Sequence, residues 1–300
     1  MGYSAIWPAS CKFDCNTAGD VYRLATMQSN SKETNMPSLA QGLRIATLTS
    51  VLAYASGAAA YPINDTYYGG NDHGYGDIVG GAEFDVNGAS ISRSGTQLTV
   101  NIFTNLAGHA DEFLFPEYTQ RVASTLNGRS MGIGYGDLFL ASEWTPFGSD
   151  AHHLDDNNVT GTHWTYGFSI DGDRWTDAGG TGTFYALTGA SNDANALLSN
   201  DFLSGAIFRD GQEVGVDRAS NTVQAIGHGT WSVDSTPGSG HLTFIFDVGN
   251  TELAHSPDIA LHWAMSCAND TIEGQQYVPE PGTLALMLPA LFALRRRSGR

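Results

Sequence analysis

Between residues 61 and 277 the chain alternates short apolar runs with clusters of Gly, Asn, Asp and Ser. The clearest run is 96–104, where Leu98, Val100 and Ile102 recur with period two and so share one face of a half-buried strand. Comparable runs at 81–86, 137–141, 163–170, 183–187, 222–226, 229–233, 241–248 and 259–265 bring the expected total to about nine strands with no helical spacers. That pattern predicts an all-β body folded as a single β-sandwich, of jelly-roll or lectin-like type. One stretch, 194–204, gathers Leu197, Leu198, Phe202 and Leu203 on one side and predicts a short helix. Gly-rich connections such as Gly179-Gly180-Thr181-Gly182 and Pro237-Gly238-Ser239-Gly240 are turn material, and no interior linker divides the body.

The pattern changes at both ends. In residues 36–60, Arg44 precedes an apolar run that finishes in small residues, with Ala58 and Ala60 spaced as a signal-peptidase site. This segment reads as a secretory signal peptide. Residues 1–35 are polar and without periodicity, so we read them as an upstream extension ahead of a start at Met36. Cys11 and Cys15 then lie outside the mature product and are not read as a metal or redox pair.

Residues 278–300 run Val278-Pro279-Glu280-Pro281, an apolar stretch from Leu284 to Leu294, then Arg295, Arg296 and Arg297. This order resembles the PEP-CTERM sorting signal of Gram-negative bacteria, also catalogued as an ice-binding-protein C-terminal domain. The resemblance implies export through the inner membrane, transient insertion of the apolar segment as a short transmembrane helix, and recognition by an exosortase. It covers only the C-terminal segment and implies no activity for the body. The arginines fit the positive-inside tendency, which leaves the body on the far side of that membrane. The segment is shorter than the roughly 20 residues of a full span and is interrupted by Pro289, a departure from the family pattern. Two further strings, 65–77 and 259–274, also resemble segments of exported proteins carrying this signal, a passenger family with no assigned activity.

Charge narrows the function. Residues 61–278 hold 27 carboxylates against six arginines and no lysine, within a whole chain of formal net charge −17. Such a body repels phosphate backbones, which argues against nucleic acid as a partner, and it attracts cations. One cysteine, Cys267, remains in the body, so an internal disulfide is ruled out; following an apolar strand, it reads as a buried thiol rather than a nucleophile.

Candidate chemistry is sparse. Gly74-Tyr75-Gly76-Asp77 is echoed by Gly134-Tyr135-Gly136-Asp137, each running into an apolar strand. Aspartate at a strand entrance either accepts backbone N–H groups as part of a turn or ligates a hard cation. Around the first copy, Asp65, Asn71, Asp72 and Asp77 supply enough oxygens for calcium. The loops Asp171-Gly172-Asp173 and Asp155-Asp156-Asn157-Asn158 are oxygen-rich but lack EF-hand spacing, and His152-His153 specifies no third zinc ligand. No H-E-x-x-H or P-loop string occurs. Tryptophans in the body could stack on sugars, although most are expected in the core. The first expectation is an exported structural or interaction protein of the cell surface, extracellular matrix or biofilm, with exopolysaccharide as a possible partner and no catalysis. The alternatives are a calcium-dependent carbohydrate-binding module and a polysaccharide hydrolase.

Overall fold

The computed structural model describes residues 62–70, 77, 84–111, 132–202 and 209–278. In chain order the strands are β1 (Ile63–Asn64), β2 (Val86–Ser94), β3 (Gln97–Thr104), β4 (Leu138–Ala141), β5 (Tyr166–Ile170), β6 (Gly180–Leu187), β7 (Ala196–Leu197), β8 (Gly215–Val216), β9 (Val223–Asp234), β10 (His241–Asp247), β11 (Asp258–Ala264) and β12 (Thr271–Tyr277). The stretch expected to be helical yields one helical turn, α1 (Ser199–Phe202), beside the two-residue β7. Among the described residues no helix is long and apolar enough to cross a membrane.

Ten of the strands form one antiparallel sheet in the order β1-β2-β3-β10-β9-β6-β5-β4-β11-β12, and β7 pairs with β8. The two ends of the order meet, since β12 packs against β1 and β2, so the sheet closes like a barrel. A single core fills the inside and draws on every strand of the sheet, including Ile63, Val100, Leu138, Phe168, Phe184, Trp231, Phe244, Leu261 and Ile272. Phe168 stacks on Phe246 at 4.8 Å between ring centres, and Phe184 meets Phe246 at the same distance. Period two explains the inward set: Leu98, Val100 and Ile102 stand opposite Phe246, Phe244 and Leu242 of β10.

The outer face is treated differently along the sheet. Over β4, β5 and β11 it is covered by the segments 142–165, 188–202 and 209–217, which enclose a second small core of Phe139, Ala141, Trp164, Leu187, Val216 and Ala260. Over β3, β10, β9 and β6 it stays open, so β9, although central, exposes Thr230, Ser232 and His228. The runs 222–226 and 229–233 are one strand. Gly227-His228-Gly229 breaks the apolar alternation but not the ladder, which absorbs one extra residue of β9, Ile226, opposite Phe184 and Tyr185 of β6.

Candidate metal centre

Four aspartates gather around the sheet closure. Asp65 follows β1, Asp85 precedes β2 and Asp270 precedes β12, and one carboxylate oxygen from each lies within 4.8 Å of the other two. Asp85 and Asp270 are buried and Asp65 is half-buried. Asp270 Oδ2 accepts the Val86 amide at 2.5 Å, while its Oδ1 is buried and accepts no hydrogen bond. Asp77 stands next to this group, its side chain 1% exposed, with Oδ1 3.3 Å from Arg209 Nη2. Neither of its oxygens is in hydrogen-bond geometry. Arg209 spends its donors elsewhere: Nε on Ala268 O at 2.8 Å, Nη1 on Tyr68 O at 2.5 Å and Nη2 on Thr271 Oγ1 at 2.8 Å.

Desolvation, with repulsion from neighbouring carboxylates, leaves Asp65, Asp77 and Asp270 reluctant to ionise. Burial, with the Asp85 charge adding, pushes Asp65 up to about 7. Burial raises Asp77, against the pull of Arg209 and with the push of Asp65, and it raises Asp270 further, with Asp77 and Asp65 adding. The donor set is all oxygen, the chemistry of a hard cation rather than of zinc or copper.

Of the oxygens expected to gather near the first Gly-Tyr-Gly-Asp string, Asp65 and Asp77 do come together; Asn71 and Asp72 lie outside the described residues. So do Ala58, Ala60, Pro279, Glu280, Pro281, Arg295, Arg296 and Arg297, whereas Val278 is described and buried. Asp85 and Asp270 escaped the sequence reading, yet each carries the signal noted for Asp77, an aspartate at a strand entrance.

The second string reaches a different end. Asp137 accepts Ser169 Oγ at 2.7 Å, Ile170 N at 3.0 Å, Val216 N at 2.9 Å and Arg174 Nη2 at 3.0 Å, so both oxygens are fully used. Glycine is required at 136 because a Cβ there would collide with the Ala264 carbonyl. This carboxylate pins β4, β5 and β8 together and has nothing left for a ligand.

A third polar group lies under the covered half of the sheet. His262 Nδ1 is 3.1 Å from Glu273 Oε2, and its Nε2 is 2.7 Å from the Glu213 carbonyl oxygen. Glu213 accepts Asn192 Nδ2 at 2.6 Å, and Glu273 accepts Trp144 Nε1 at 2.7 Å. Burial, partly offset by His262 and reinforced by Glu273, pushes Glu213 up to about 7. Burial alone would lower His262, but its hydrogen bond to Glu273 and the two glutamate charges outweigh that and raise it. Asp156, buried nearby, is pushed up to about 7 by desolvation and then by Glu273. Glu213, His262 and Glu273, sealed from water, form a hydrogen-bonded group that ties β11 and β12 to the covering loops.

The remaining candidates are structural in placement. Cys267 is buried, and desolvation pushes its thiol up to about 12. His152 stacks on Tyr68 at 4.0 Å, whereas His153 stacks on Tyr67 and meets the edge of Trp144, so the two rings have separate partners. Asp171 pairs with Arg218 at 3.2 Å and accepts Thr183 Oγ1. Trp164, Trp175, Trp231 and Trp263 are core residues. No protein-family model, curated protein or solved structure matches this chain.

Proposed function

We propose that this chain is an exported, non-catalytic structural or interaction protein of the cell surface, extracellular matrix or biofilm. Signal peptidase acts after Ala60 in this reading, and an exosortase at the inner membrane of a Gram-negative bacterium acts through Val278, Pro279, Glu280 and Pro281, with Arg295, Arg296 and Arg297 on the cytoplasmic side. Both addresses are carried by the sequence. The observation that supports an interaction role is the open outer face. There Ser92, Thr99, Ile245, Thr230 and Thr181 stand in one row across five strands, and Ser90, Asn101, Thr243 and Ser232 in the next. Thr243 Oγ1 donates to Asn101 Oδ1 at 2.8 Å, and Asn101 Nδ2 to Ser90 Oγ at 3.2 Å. A surface of hydroxyl and amide groups, interrupted by Ile245 and without charge in either row, suits contact with a hydrated, neutral polymer.

That face also favours the second reading, a calcium-dependent carbohydrate-binding module on a lectin-like or jelly-roll body. Fractionation of the native host tests the first reading: replacing Pro279, Glu280 and Pro281 with alanine should hold the protein in the membrane fraction, and unchanged release would reject exosortase handling. Glycan-array binding by the full chain, abolished by chelator, would promote the second reading over the first.

A further inference from the structure

We propose that Asp65, Asp85 and Asp270, backed by Asp77, bind one divalent cation of the calcium class, and that this ion clasps the seam where the two ends of the sheet meet.

The seam is where the fold has least backbone to hold it. Every other junction in the order β1-β2-β3-β10-β9-β6-β5-β4-β11-β12 is a hydrogen-bonded ladder, but β1 and β12 are its two termini. What joins them is side-chain work. The Gln276 amide imitates a strand neighbour, its Oε1 accepting Ile91 N at 2.6 Å and its Nε2 donating to Ile91 O at 2.8 Å. Asp270 accepts Val86 N, and Ile63 packs where Gly274 lacks a side chain. The three carboxylates sit on this same line, one from the β1 side, one from the β2 side and one from the β12 side.

Ionising carboxyls crowded in a desolvated place works against closure. Crowding alone would not name a site. The independent pointer is Asp270: a fully buried member of the cluster, with one oxygen satisfied and the other buried without a hydrogen bond. Asp77 adds a buried carboxylate whose oxygens lack hydrogen bonds. Native proteins rarely leave such acceptors empty, since an unmet buried charge is strongly destabilising. Among the described residues Arg209 does not fill them: three of its N–H groups go to the Ala268 and Tyr68 carbonyls and to Thr271 Oγ1, and its approach to the group is the 3.3 Å ion pair with Asp77 Oδ1. Calcium accepts irregular oxygen shells of six to eight ligands at 2.3–2.6 Å, with waters completing the set, whereas magnesium demands near-octahedral order.

The test uses the full chain freed of metal by chelator. Isothermal titration with calcium chloride should show one equivalent bound, and Asp85→Asn and Asp270→Asn should each weaken that affinity about 100-fold. Hydrogen exchange should then show calcium-dependent protection concentrated at 86–91 and 271–277, with little change at 99–103 and 243–246. Gln276→Ala, which loosens the seam without touching the carboxylates, should retain one equivalent. Both Asp→Asn changes preserve shape, and far-UV circular dichroism in chelator verifies that each variant folds; if one does not, the other carries the test. Absence of saturable binding to the wild type, or unaltered affinity in a folded Asp→Asn variant, overturns the site. Binding with protection spread evenly over the sheet overturns the clasp. Either failure leaves the export reading standing, because fractionation of the Pro279-Glu280-Pro281 variant is independent of calcium.

Discussion

Asp77 and Asp137 end identical Gly-Tyr-Gly-Asp strings, are both buried and both lie beside an arginine, yet they live in opposite circumstances. Asp137 receives four donors, two of them backbone amides, and its arginine lies 3.0 Å away. Asp77 receives none in hydrogen-bond geometry, has its arginine at 3.3 Å with that arginine's donors committed elsewhere, and faces further carboxylates. The lesson is that a local string fixes where a carboxylate starts, at the mouth of a strand. What it does is fixed by the elements the fold brings opposite: β5 and β8 for Asp137, the sheet's own two ends for Asp77.

Substitution should separate the two. Asp137→Asn keeps the shape but strips Arg174 of its counter-charge and turns an NH2 group toward donors, so it should cost about 3–5 kcal/mol in urea denaturation. Calcium should not alter that loss. Asp270→Asn should do the reverse. In chelator it should stay within about 1 kcal/mol of wild type or exceed it, because the amide oxygen can still accept Val86 N while one of several crowded charges is gone. With calcium about 100-fold above its dissociation constant, wild type should gain about 2.7 kcal/mol and the variant none of it.

The sealed Glu213–His262–Glu273 group offers a smaller contrast that is read by pH. Glu213 has a folded value near 7 against an ordinary 4.5, so across that window the folded state holds a proton that the unfolded chain gives up. Its contribution is therefore present below about 4.5 and lost as pH rises toward about 7, on the order of 3 kcal/mol. His262, also raised, acts in the same direction: its contribution fades as pH rises through its folded value. Glu213→Gln should flatten the slope of unfolding free energy between these limits, measured in chelator. Smallest of all should be Thr243→Ala on the open face, expected within about 0.5 kcal/mol in stability.

The strands that were legible in the sequence are those with one wet face. Residues 97–104 and 241–247 alternate cleanly because water selects every second side chain. β12 was not legible, because Thr-Ile-Glu-Gly-Gln-Gln-Tyr puts Thr271 and Glu273 inside, where the cover over β11 supplies polar partners, and Gly274 against Ile63. The acidic centre was half legible. Asp65 and Asp77 are near in sequence to each other, but Asp270 lies 185 residues beyond Asp85, and only closure of the sheet makes them neighbours. A rule of noting each aspartate just before a strand would have put Asp85 and Asp270 beside Asp77 and Asp137 as candidates.

The guanidinium of Arg93 on β2 donates to the carbonyls of Leu253, Ser256 and Val278. Its consequence is mechanical. A pull on the chain at Val278 would meet this three-carbonyl grip before it reached the Tyr277–Asp258 pair at the start of the β12–β11 ladder. Force entering there would be shared across the seam with β2 and with the loop around Leu253 rather than peeling β12 off its neighbour one residue at a time. A domain towed by its trailing segment would in this way carry a strain relief, set one residue inside the point where the line is attached.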